Sequence, residues 1–240
     1  ILGIAFMVIV IAIALTMKLP PKGWHPRQNV TTSTSLSTAT YPQNLLKSRS
    51  FYGLWLCYAI GTLVGLSAIG ISSPVGGEMI NINPTVAANS VSLFATFNGI
   101  SRPLFGWLCD RFKPHYVAML SYMLTLVASV LMMNAQTGQF AVYLTAFCLF
   151  WFCLGGWLAM APTITLRFFD PDQYTQNYGL VFTAYGVGAL TGTLITGRIR
   201  DLFGSYTYVF YLMALLAIIG IVVAYLLLRR ERGPVDTVLT

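Results

Sequence analysis

The chain has 240 residues, of which 56% are hydrophobic and only 9% charged, and its mean hydropathy is +0.71. A soluble domain carries about a quarter charged residues, so composition excludes an ordinary soluble fold and points to a membrane protein. The net charge of +7 is dispersed between apolar runs instead of lying along one face, which argues against a nucleic-acid surface and for membrane orientation.

Residues 1–17 (ILGIAFMVIVIAIALTM) are apolar, with neither a basic leader nor a small-residue cleavage site before Lys18. They read as a span cut off at its beginning, and the chain as a fragment of a longer one. Residues 18–50 hold Lys18, Lys22, Arg27, Lys47 and Arg49, no acid, and the polar tract TTSTSLSTAT. Such a segment cannot bury enough apolar surface to fold and is expected to be a linker.

A helix crosses the hydrocarbon core in about 20 mostly apolar residues. Runs of that kind fall near 51–73, 85–108, 115–134, 140–166, 178–197 and 205–228, separated by Pro, Gly, Asp and Lys breakers. The expected fold class is an all-α membrane bundle of six helices over 51–228, with a short tail at 229–240. Short connections predict that successive helices are antiparallel neighbours. With the linker placed inside, eleven Lys and Arg fall on the inner side against Arg198 and Arg200 outside. Linker and tail are then cytoplasmic. Cys57, Cys109, Cys148 and Cys153 read as small packing residues. His25 and His115 read as solvated loop residues.

The second span and its loop (96–112, TFNGISRPLFGWLCDRF) resemble the fifth (183–203, TAYGVGALTGTLITGRIRDLF). Both begin Thr-x-x-Gly and end Gly-x-x-x-Asp-x-Phe; the second is four residues, about one turn, longer. The two run in opposite directions, so the bundle reads as two inverted three-helix repeats, a known build of secondary transporters.

Arg102 carries most of the functional signal. An arginine inside a span costs about 2.5–3.5 kcal/mol on insertion scales, so it needs a protein partner, a wet path or an escape to the interface. No carboxylate sits mid-span in this chain, and a guanidinium fork matches a carboxylate. Asn98 and Tyr185 occupy equivalent repeat positions, and with Phe182 and Trp157 they are candidates to line a cavity around Arg102. Gly106, Asp110 and Arg111, with Gly197 and Asp201 in the second copy, are candidates for a gating or structural latch. Trp151 and Trp157 flank Gly155 and Gly156, where close packing is plausible. No metal cluster, phosphate loop or nucleophile–base set is visible, so neither an enzyme nor a cofactor is expected.

These residues carry a family resemblance. Lys18–Trp24 (KLPPKGW), Asn98-Gly-x-x-Arg-Pro103 running into Gly106-x-x-x-Asp-Arg111, and Asn177-Tyr-Gly179 with Thr183-Ala-Tyr-Gly186 and Gly204-Ser-Tyr206 resemble the C-terminal half of a major facilitator superfamily transporter of the oxalate/formate antiporter group. The resemblance covers nearly the whole chain. It implies a twelve-helix carrier of small carboxylates in a bacterial or archaeal inner membrane, rocking two halves about a central site, with residues 1–17 ending the sixth helix and an N-terminal six-helix half preceding them. It also implies that Arg102 binds the substrate carboxylate. Oxalate carriers of the group add a lysine on the eleventh helix; the matching position here is Tyr185. One cation instead of two suits a monocarboxylate better than a dianion. The rival readings are a carrier of a neutral or cationic solute with a structural Arg102, and a membrane sensor or scaffold that translocates nothing.

Overall fold

The computed structural model describes residues 45–229 together with Met7, Ile11, Leu15 and Thr16. The chain divides into two compact units, Ile1–Ala39 and Thr40–Thr240. In the first, the four described residues are helical and exposed. The expected span end over most of 1–17, the linker up to residue 44 and the tail beyond 229 lie outside the described residues.

Six long helices make up the second unit: α1 (Arg49–Glu78), α2 (Pro84–Arg111), α3 (Pro114–Met133), α4 (Phe140–Phe168), α5 (Tyr174–Phe203) and α6 (Thr207–Leu227). Local chemistry sets their ends. Pro84 and Pro114 open α2 and α3, where a missing N–H costs nothing and the fixed φ suits a first turn. The Asn83 side chain caps α2 by accepting from the Thr85 N–H at 2.9 Å. Gly204, at φ 67°, ends α5 in the left-handed conformation that glycine adopts without a Cβ penalty. His115 departs from its expected place in a loop: it lies in the first turn of α3 and is buried, its ring 4.1 Å from that of Tyr116. The Pro114 helix start drew it inward.

Five of the six helices are long and apolar enough to cross a membrane. The exception is α2, which has the length but carries Asn89, Ser90, Ser92, Asn98, Ser101 and Arg102.

The neighbour relations differ from the sequence expectation. The strongest pairings are α2 with α4, α1 with α5 and α3 with α6; of the consecutive pairs, only α3–α4 packs extensively. Register shows the direction of each pair. Thr62 meets Gly188 and Ser67 meets Gly192, so α1 and α5 run parallel. Ser101 meets Gly155, and the Cys109 carbonyl meets Arg167, so α2 and α4 run parallel. Gly61 meets Trp157 and Gly65 meets Leu154, so α1 and α4 run antiparallel at the centre. Short loops force consecutive helices to alternate in direction, but they do not force contact along their length.

This pairing follows the internal repeat. Exchanging α1, α2, α3 for α4, α5, α6 maps the α2–α4 pair onto α5–α1 and leaves α1–α4 and α3–α6 unchanged. Residue positions obey the same exchange. α2 buries Ser90, Phe94, Ser101, Phe105 and Cys109, and α5 buries Asn177, Val181, Gly188, Gly192 and Thr196, each 87 residues further on. Thr62 in α1 and Gly155 in α4 are 93 apart, and the Thr62–Gly188 and Gly155–Ser101 contacts are images of each other. In one crossing the hydroxyl is on the first helix of a repeat, in the other on the second. Each hydroxyl is satisfied by a carbonyl of its own helix, Thr62 by Tyr58 and Ser101 by Asn98, both at 2.8 Å. Small residues at crossings let backbones approach, which is how helices associate where lipid removes the hydrophobic drive. Hydrogen bonds across helices add to this. Tyr122 Oη donates to the Cys57 carbonyl, Tyr143 Oη to Ser72 at 2.8 Å, and Trp55 Nε1 to Thr183 Oγ1 at 2.9 Å. All four cysteines are buried free thiols, and Cys153 Sγ donates to the Ser121 carbonyl at 3.3 Å.

Candidate functional site

Each repeat buries its first helix and leaves its second exposed. α1 and α4 bury fifteen residues each, α2 and α5 only six each, along one narrow seam. The rest of α2 and α5 is open, and the sequence-predicted candidates divide along that line.

Arg102 is exposed on α2, about one turn beyond the half-buried Asn98. Nine residues separate it from the helix end at Arg111, roughly 13 Å at 1.5 Å per residue. One guanidinium nitrogen, Nη2, donates to Asn98 Oδ1 at 3.3 Å. Among the described residues, the one carboxylate–cation pair is Glu78 with Arg200, at 3.0 Å, so no protein acid neutralises Arg102 there. Its repeat counterpart, 87 residues on, is Ala189; the charge has no partner copy. Pro103 lies inside the helix next to it and donates no hydrogen bond to the Gly99 carbonyl.

Tyr185 and Phe182 lie on α5 with parallel rings 5.2 Å apart. Phe182 is exposed and Tyr185 half-buried. The stack continues towards the N-terminal end of α5 through Tyr178 and Tyr174, and Tyr58 of α1 backs it at 6.3 Å from Tyr185 and 6.4 Å from Phe182. Trp157 is not on this open surface. It is 1% exposed, enclosed by Tyr58, Tyr122 and Gly61, because the missing Cβ of Gly61 admits the indole into the α1–α4 interface.

The latch candidates also stand apart from the packing seam. A Cβ at Gly106 or Gly197 would meet nothing within 4 Å, so within this bundle neither glycine marks a close helix approach. Asp110 and Asp201 are exposed, and Arg111 stacks on the Trp107 ring at 4.7 Å. Two other arginines clamp the bundle. Arg167 Nη1 donates to the Cys109 and Phe112 carbonyls at 2.8 and 3.1 Å, tying the end of α4 to that of α2. Arg200 pairs with Glu78, tying the end of α5 to that of α1. The repeat exchange relates the two clamps. The sequence placed Arg167 as an orientation charge and Arg200 in the second copy of the charged loop; their partners, far away in the chain, were not legible.

The position of Trp151 and Gly155 beside Asn98 was also missed. Asn98 Nδ2 donates to the Trp151 carbonyl at 2.9 Å, and a Cβ at Gly155 would lie 2.1 Å from the Asn98 carbonyl oxygen and from Ser101 Oγ. The Gly155-Gly156 pair was the available signal.

The bundle thus sets membrane-length helices in two exchanged three-helix sets, with Arg102 on the most polar helix. The profile of the Major Facilitator Superfamily matches residues 58–239, and the chain belongs to that family, one of transporters rather than enzymes. It is 22% identical over 233 residues to the oxalate:formate antiporter of Oxalobacter formigenes, covering 97% of this chain and 54% of that protein. To an uncharacterised transporter of the same superfamily, YhjX of Escherichia coli, it is 24% identical over 166 residues, covering 69% of this chain and 41% of that one. The chain therefore spans about half the length of the curated relatives it matches. Among solved structures, a variant of the fucose:proton symporter FucP of E. coli superimposes with a TM-score of 0.68 at 18% identity, over 95% of this chain and 53% of that one. A peptide transporter of the POT type gives 0.68 at 16% identity, over 78% and 39%. These likenesses establish the shared fold.

Proposed function

We propose that the intact protein is a secondary transporter of a small organic anion, a monocarboxylate, that works by alternating access and exchange in a bacterial or archaeal cell membrane, with its linker and C-terminus cytoplasmic. The observation that carries this reading is Arg102, an exposed guanidinium on the most polar of the six helices, with no carboxylate partner among the described residues. Left unpaired within a membrane, such a group is costly, and a carboxylate substrate offsets the cost by accepting from its fork of donors. Asn98 lies one turn from Arg102 on α2, and Tyr185 and Phe182 stack on α5; we assign these rings to the apolar end of the anion. Trp157 is left to packing. The resemblance to the oxalate:formate antiporter over 97% of the chain supports a carboxylate; Tyr185, standing where the group's oxalate carriers place a lysine, favours one negative charge over two. Gly106, Asp110, Arg111, Gly197 and Asp201 face away from the packing seam, so we assign them to a latch against the six-helix half expected to precede this chain.

The test is uptake of labelled formate, lactate, pyruvate and oxalate into proteoliposomes holding the full-length protein. Arg102→Gln should lower uptake of the favoured monocarboxylate at least tenfold, and Arg102→Lys should retain part of it. Undiminished uptake of every anion by both variants would overturn the anion-site role of Arg102; binding of a neutral or cationic solute that carboxylates do not compete away would favour that rival carrier. Absence of transport for any solute, with binding retained, would favour a sensor or scaffold.

A further inference from the structure

We infer that Asn98 is a positioning residue that aims the Arg102 guanidinium and makes its orientation depend on the contact between α2 and α4. The inference rests on the reading of Arg102 as the anion site. Asn98 uses both ends of its amide inside the protein. Nδ2 donates to the Trp151 carbonyl of α4 at 2.9 Å, and Oδ1 accepts from Arg102 Nη2 at 3.3 Å. The opposite amide orientation would set oxygen against a carbonyl oxygen and NH2 against a guanidinium, so the chemistry of the partners decides the flip. In a regular helix the Trp151 carbonyl already accepts from the Gly155 N–H, and Asn98 takes its second lone pair.

Gly155 makes the arrangement possible. With a Cβ 2.1 Å from the Asn98 carbonyl oxygen, any other residue there would push α2 off α4. The result is a relay, Trp151 C=O to Asn98 to Arg102, from the backbone of the buried helix to the exposed cation. Arg102 keeps four of its five N–H donors for a ligand, held on one side by an acceptor that is itself anchored. A shift of α4 against α2 moves the anchor and re-aims the cation, which is a route from helix movement to anion affinity. The second repeat has no such relay: Tyr185 replaces Asn98 and Ala189 replaces Arg102.

The experiment uses the full-length protein in proteoliposomes with labelled lactate, and follows Arg102 modification by phenylglyoxal with mass spectrometry. Asn98→Ala should raise KM at least fivefold with Vmax within twofold, and should speed Arg102 modification at least threefold, since the freed side chain can extend to the interface. Asn98→Asp should pair with Arg102 and suppress both uptake and modification. Asn98→Ser carries the expectations of the alanine variant and replaces it if that protein does not fold. The inference is overturned if Asn98→Ala leaves KM within twofold of the parent while Arg102→Gln is impaired. Parental transport by Arg102→Gln overturns the anion reading instead, and the modification rate then judges the relay alone: unchanged within twofold, it rejects it.

Discussion

At equivalent positions of the two repeats, α2 presents Asn98 and Arg102 where α5 presents Tyr185 and Ala189, yet the seams behind them share five of their six buried positions. Packing imposes a common pattern because each second helix must lie along the central helix of the other repeat, and only small or complementary residues fit the crossings. Positions outside the shared seam carry no common constraint and have diverged, one to a cation beside an amide bonded to α4, the other to an aromatic stack against Tyr58. In the proposed site, charge on one helix and rings on the other arise at positions outside the shared glycine crossings.

The largest effect expected from breaking this comparison is functional. Arg102→Gln should lower carboxylate uptake at least tenfold, while Ala189→Gln at the mirrored position should leave most of it, as initial rates of labelled lactate uptake will report. Next come the crossings. Gly155→Ala and Gly188→Ala place a Cβ 2.1 and 2.2 Å from the nearest heavy atoms and should each cost roughly 1–3 kcal/mol, read as a lowered melting temperature of the purified full-length protein. Gly99→Ala and Gly186→Ala, where a Cβ meets nothing within 4 Å, should be neutral or slightly stabilising, because glycine in a helix interior is unfavourable by about 1 kcal/mol relative to alanine. Equal losses at all four glycines would break the distinction between seam and open positions.

Smaller again is Arg167→Gln, which removes donors from the Cys109 and Phe112 carbonyls at the end of α2 and should cost about 1 kcal/mol. The smallest effect belongs to its mirror, Glu78→Gln. The Glu78–Arg200 pair is partly exposed and salt-screened, so the difference from the parent should shrink further at high salt in the same melting assay.

Much of this architecture was legible in the residues. Apolar runs marked the six helices to within a few residues, Pro84, Pro114 and Gly204 marked boundaries, and the Thr-x-x-Gly match aligned α2 with α5 at the spacing the buried seams follow. Arg102 stood out because charge is rare inside spans. Three things were not legible. Helix adjacency was misread because a short loop fixes direction without fixing contact. Trp157 and His115 looked available because burial depends on which helix lies opposite, here one that offers Gly61 to the indole. The Asn98 amide joins residues 53 positions apart, and nothing local records that bond.

By itself, then, the sequence determined the spans, their alternation, the doubled plan and the isolated cation, since hydropathy, breaker residues and charge act locally along the chain. The tertiary structure alone decided which helices pair, which aromatic rings are core and which are exposed, and that the Asn98 amide bonds both Trp151 and Arg102. Those depend on close approaches between segments far apart in the chain, where the absence or presence of one Cβ settles whether two backbones can meet.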